Sequence, residues 1–177
     1  ESGMVSPGGV GYDINCGVRL ALVPEKLSNL DDKTKEELIT AIFRTVPSGV
    51  GHGHRGKVGL SDADYQSIAE KGVSWSIEKG FGFKEDIERC ENKGCLAGAD
   101  ASAVSSHAKE RGKKQVGSVG SGNHFIEIGE IEKIFEKDVA SQWGVKEGQI
   151  YIFVHSGSRG FGHQVCTDHL RVLEQAV

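Results

Sequence analysis

Glycine sets the terms on which this chain can fold. Of 177 residues 25 are glycine, about twice the usual share, and they gather in four blocks rather than spreading as a linker. The blocks read SPGGVGYDINCG, VPSGVGHGHRGKVG, GSVGSGNH and HSGSRGFGH. Residues without a Cβ permit tight turns and close backbone approach, so each block marks a joint between regular elements. Each also contains Asp, Cys, His or Arg, so backbone permissiveness coincides with the residue types that bind metals and phosphates.

The segments between the blocks carry periodic signals. CGVRLALVP alternates and then runs apolar, which predicts a strand ended by Pro24. Leu30, Leu38, Ile42 and Phe43 share one helical face, predicting a helix from about Asp31 to Arg44 that stops before Pro47. Ser61 and Asp64 read as a capping box for a helix carrying Tyr65, Ile68, Ala69, Val73 and Ile77 and ending near Gly80. A short helix is expected around Glu85 to Cys90, and another from Asp100 to Gly112. HFIEIGEI alternates as a strand should, and GQIYIFVHSG is a continuous apolar run that reads as a buried strand. From about Gly162, Val165, Cys166, His169, Leu170 and Leu173 space as a helix. Mixed strands and helices without a strict βαβ repeat predict an α+β (mixed α/β) fold, and the length suits one domain. The chain opens at Glu1 without an initiator Met and stops inside that last helical pattern, which reads as a piece of a longer protein.

A net charge of −4 argues against gripping nucleic acid by bulk charge, so an RNA or DNA partner would need a local basic site. HRGK (54 to 57) and KERGKK (109 to 114) are the local basic runs; runs this short are usually solvated loop and helix ends, which is the preferred reading of both. No apolar run approaches the roughly 18 residues that span a bilayer, so no membrane association is expected. Cys16, Cys90, Cys95 and Cys166 form no dense disulfide framework, which fits a reducing, cytoplasmic setting. Cys90 and Cys95 lack a second ligand pair nearby.

Chemistry concentrates at the edges of the strands. Asp13 and Cys16 stand three residues apart in a turn, a spacing that can aim a carboxylate and a thiol at one point. His124 precedes one predicted strand and His155 ends another, so Asp13, Cys16, His124 and His155 make a plausible ligand shell for a divalent transition metal. Ligand softness favours zinc over manganese. The competing reading is structural: a small core cysteine and hydrogen-bonded histidines. GSVGSGNH precedes a strand rather than opening a helix, so it is not a dinucleotide fingerprint, although it suits a backbone nest with the Asn123 amide beside it. Arg159, beside Ser156, Ser158 and a predicted helix start, is a candidate phosphate contact; a surface ion pair is its alternative. His52 and His54 suit a solvated loop better than a chelate, and His107, His163 and His169 suit helix surfaces or packing.

Taken together, SPGGVGYDINCGVRL, VPSGVG, GSVGSGNHFIEI and VHSGSRGFGHQV, with GADASAVSSHAKERG between them, resemble the motifs of the RtcB family of RNA ligases. The resemblance covers the whole chain and implies that residues 1 to 177 are part of a catalytic domain with that family's fold, its C-terminal part missing. It implies an enzyme that uses GTP and two manganese ions to join RNA 3'-phosphate or 2',3'-cyclic phosphate ends to 5'-hydroxyl ends, in tRNA splicing and RNA repair. Its partners would be RNA (tRNA halves or broken ends), GTP and, in some settings, an activating protein. By motif match Asp13, Cys16, His124 and His155 would be metal ligands, with Cys16 able to bridge two ions, and Asn123, His124, Phe125, Ile126 and Glu127 would border GTP. The family's guanylylated histidine has no counterpart among the histidines here, so no residue is assigned as the nucleophile and the chain alone is expected to be inactive. A metal-dependent phosphoesterase or RNA end-processing enzyme, and a non-catalytic metal-binding remnant, are the readings to set against it.

Overall fold

In a computed structural model that describes residues 6, 8, 9, 11–49 and 60–176, the three strand-like segments pair into one antiparallel sheet. β1 spans Gly17–Lys26, β2 Phe125–Glu130 and β3 Gln149–Ser156, in the order β1-β3-β2. The continuous apolar run thus becomes the central strand, flanked on both sides, and its Ile150 is buried. Gly17 pairs with Ser156 and Val18 with His155 on one side; Phe125 pairs with His155 on the other. β1 runs past Pro24 instead of ending there, and its ladder lapses between Leu22 and Lys26. A proline without an N–H is tolerated because β1 is an edge strand.

The α+β expectation holds. Within it the chain forms two compact units, one from Glu1–Tyr12, Val58–Lys113 and Gly160–Val177, the other from Asp13–Lys57 and Lys114–Arg159.

The second unit holds the sheet, helix α1 and helix α5. α1 spans Asp32–Thr45, and its N-cap Asp31 accepts from the Thr34 N–H at 2.8 Å. Leu38 and Ile42 are half-buried, but Phe43 is 86% exposed, so the expected apolar face is narrower than its spacing suggested. Phe43 lies about 100° round the helix from Ile42. After α1, Ser48 bridges Val119, with the Val119 N–H donating to the Pro47 carbonyl and the Gly49 N–H to the Val119 carbonyl. α5, Lys137–Gln142, lies in a stretch where no helix was expected. It is only six residues long, too short for a periodic signal.

In the first unit, α2 (Asp62–Lys71) opens with the expected capping box: the Ser61 hydroxyl accepts from the Asp64 N–H, and the Asp64 carboxylate from the Ser61 N–H. The expected single helix to Gly80 is two, because Gly72 takes a positive φ and α3 (Val73–Glu78) restarts in a new direction. A side chain at Gly72 would overlap the Gly94 carbonyl, so only glycine fits the break. The expected helix at 85 to 90 is a 3-10 turn at Lys84–Arg89. Asp100 caps a 3-10 turn at Ala101–Ala103, and the true helix α4 begins later, at Ser106–Lys113. Tyr65, Trp75, Ala101, Ala108 and Cys166 form the buried core, with Tyr65 edge-on to Phe161. The last helix, α6, spans Arg159–Ala176, opening three residues before Gly162.

Candidate metal centre

Antiparallel pairing explains why residues far apart in the chain meet. β1 and β2 both start where β3 ends, so Cys16, just before β1, and His124, just before β2, arrive beside His155 near the end of β3. The Asp13–Cys16 spacing is closed by a turn in which the Cys16 N–H donates to the Asp13 carbonyl at 2.9 Å. Asn15 sits in the left-handed region at φ 63, a conformation that asparagine tolerates better than most side chains. The turn brings the thiol and the carboxylate to one side.

The Cys16 Sγ lies 3.2 Å from the His155 Nε2 and 3.4 Å from the His124 Nε2. These three ligand atoms fall within 4.8 Å of one another. The Asp13 Oδ2 lies 2.9 Å from the His124 Nε2, so the carboxylate reaches the same nitrogen as the thiol. Sulfur and nitrogen bound to one zinc-sized ion would stand about 3.1 Å apart at right angles and about 3.6 Å apart in a tetrahedron. The two observed sulfur–nitrogen separations lie between these limits, so the thiol and each imidazole are spaced as ligands of one divalent ion would be. Partial desolvation, followed by the Asp13 charge, pushes the Cys16 thiol above its ordinary pKa, and a metal would favour the thiolate.

Two glycines make room for this arrangement. A Cβ at Gly120 would overlap the His124 ring and crowd the Arg159 guanidinium. A Cβ at Gly157 would overlap the Asp13 carboxylate. The other oxygen of that carboxylate, Oδ1, accepts from the Ser158 hydroxyl at 3.0 Å and the Arg159 N–H at 3.1 Å. Arg159 holds φ 59, and its guanidinium donates to the Gly49 carbonyl. Its Nε is buried without a partner. Burial lowers the pKa of this guanidinium, and the Asp13 charge opposes that shift. Arg159 is therefore a half-buried brace, not a surface ion pair.

Among Asn123, Phe125, Ile126 and Glu127, strand alternation sorts the side chains. Phe125 and Glu127 share the face of His155, with the Phe125 ring 5.5 Å from the imidazole. Glu127 accepts from the Tyr151 hydroxyl at 2.7 Å. Ile126 faces the other side, and Asn123 lies exposed in the turn before the strand. The partners of Asp13 and the Tyr151–Glu127 pair carried no signal in the sequence. His52, His54 and HRGK lie outside the described residues. KERGKK lies mostly on α4, where Arg111 donates to Gln164 and Lys113 pairs with Asp62, so half of its cations serve internal contacts. All four cysteines are free, and the Cys95 thiol donates to the Glu70 carbonyl. No helix among the described residues is long and apolar enough to cross a membrane.

Fold and site together define an α+β protein whose sheet gathers a thiol and two imidazoles into a cluster compatible with a metal ion, with the Asp13 carboxylate against one of the imidazoles. The family model described as tRNA-splicing ligase RtcB matches residues 1–177. The chain is 46% identical over 177 residues to the tRNA-splicing ligase RtcB of Archaeoglobus fulgidus, covering 100% of this chain and 36% of that relative. It is 48% identical over 162 residues to the tRNA-splicing ligase RtcB of Methanocaldococcus jannaschii, covering 92% of this chain and 16% of that relative. The chain belongs to the RtcB family. It spans little more than a third of the length of most of these relatives, 36% for the Methanococcus maripaludis protein as well.

Proposed function

We propose that this chain contributes the metal centre and part of the GTP site of an RNA ligase that joins 3'-phosphate or 2',3'-cyclic phosphate ends to 5'-hydroxyl ends. The observation that carries this is the convergence of Cys16, His124 and His155, with Asp13 beside them, in a chain of the RtcB family. Cys16, His124, His155 and the Asp13 Oδ2 would hold manganese. When bound, the ions supply positive charge that neutralises phosphate oxygens and orients the phosphoryl acceptor. Phe125 and Glu127, on the His155 face, would border the nucleotide together with Asn123. Arg159 is a phosphate candidate through the guanidinium nitrogens that Gly49 does not engage. The four cysteines, all without disulfide partners, support action in the reducing cytoplasm.

No histidine of this chain is assigned as the guanylate acceptor, so these 177 residues alone would not form the guanylate adduct. Incubation with labelled GTP and Mn²⁺ tests this: no stable protein adduct is expected, and an adduct would overturn it. Manganese titration should show binding that requires Cys16. Cleavage of a 2',3'-cyclic phosphate in the absence of GTP, abolished by Cys16→Ala, would instead favour end-processing without nucleotide transfer.

A further inference from the structure

We propose that Ser158 is a positioning residue for the metal centre: it fixes the Asp13 carboxylate so that one oxygen alone faces the cluster. This rests on the reading of Asp13, Cys16, His124 and His155 as ligands. The two carboxylate oxygens have different surroundings. Oδ1 accepts from the Ser158 hydroxyl at 3.0 Å and from the Arg159 N–H at 3.1 Å, while Oδ2 lies 2.9 Å from the His124 Nε2. Two donors on one oxygen engage the lone pairs that a two-oxygen chelate would use, so Asp13 is held as a single-oxygen ligand. The third side of the carboxylate is closed by Gly157, whose missing Cβ is the space that the carboxylate fills.

Three consecutive residues therefore surround one functional group: Gly157 by its lack of a side chain, Ser158 by its hydroxyl and Arg159 by its main chain. Arg159 keeps φ 59, unfavourable for a residue with a Cβ, in the same conformation that points its N–H at Asp13. Of the three, only Ser158 acts through a removable side chain. Partners that orient a ligand typically contribute tenfold or more to metal affinity.

The test is titration with Mn²⁺ for affinity and with Co²⁺ for visible absorption, on the protein and its Ser158→Ala, Ser158→Thr, Asp13→Ala and Asp13→Ala/Ser158→Ala variants. Ser158→Ala should weaken Mn²⁺ binding about tenfold and alter the saturated Co²⁺ spectrum, with Ser158→Thr restoring both. In the Asp13→Ala background, removing Ser158 should cost nothing further, because the group it orients is already gone. Unchanged affinity and spectrum in Ser158→Ala overturn the proposal, as does a loss that persists undiminished without Asp13. If Ser158→Ala fails to fold, Gly157→Ala asks the same question by pushing the carboxylate aside with Ser158 intact, and wild-type affinity in that variant overturns the proposal. A protein that binds neither Mn²⁺ nor Co²⁺ overturns the ligand reading and this inference with it, whereas metal binding that depends on Cys16 but not on Ser158 overturns this inference alone.

Discussion

The Asp13 Oδ2 and the Cys16 Sγ approach the same atom, the His124 Nε2, at 2.9 and 3.4 Å. A carboxylate and a thiol on one imidazole nitrogen place three donor types of a divalent-metal site within reach of one another.

Cys16→Ala removes the atom that joins both histidines. Calorimetric titration should show Mn²⁺ affinity lowered at least about tenfold, with the fold retained because Cys16 is exposed. An unchanged isotherm would count against the cluster as a metal site.

Gly120→Ala places a methyl group where the His124 ring lies. Overpacking of this kind costs about 1–3 kcal/mol, and the ring must turn to relieve it. A lowered melting temperature together with lost metal binding is the expected pair of results. A lower melting temperature with native metal affinity would show that the ring need not be where it is seen.

Ser61→Ala removes one half of the α2 capping box. Urea unfolding should show a loss of about 1 kcal/mol without change in metal affinity, since Ser61 and the cluster belong to different units.

Asp168 accepts from the Ser105 hydroxyl at 2.6 Å and the Gln164 amide at 2.7 Å, and these bonds, in that order, hold its pKa below the ordinary carboxylate value. A pKa lowered by folding contributes stability that is present above the unfolded value, about 3.9, and is lost as pH falls through the folded value. Asp168→Asn should therefore melt lower than the wild type at pH 7, with the gap closing below about pH 4. A gap that persists unchanged into acid would show that the carboxylate charge is not what the network stabilises.

What the sequence made legible follows from periodicity and from covalent neighbourhood. The three strands, α1 and the α2 capping box were readable because alternation, helical spacing and cap chemistry are local. Asp13, Cys16, His124 and His155 stood out as polar groups at strand edges in glycine-rich turns, and the register of β3 brings them together. The break at Gly72 was hidden because Tyr65 to Ile77 keeps helical spacing across it, and the glycine reveals itself only against the Gly94 carbonyl. Nothing local announces the Gly49 carbonyl, 110 residues away, that accepts a hydrogen bond from Arg159. The Gly157–Ser158 cradle of Asp13 was invisible for the same reason, at separations of more than a hundred residues.

The register of the sheet has one more consequence. Cys16 is separated from His124 by 108 residues and from His155 by 139, so a segment that does not reach from Cys16 to His155 cannot assemble the cluster. A slip of one residue in either edge strand would turn its side chains to the opposite face and displace the turn that carries Cys16 or His124. An ion captured by all of these donors thus reports that both edges have zipped to β3 in the native alignment. A bound ion would therefore favour the correctly paired sheet over its near neighbours by mass action.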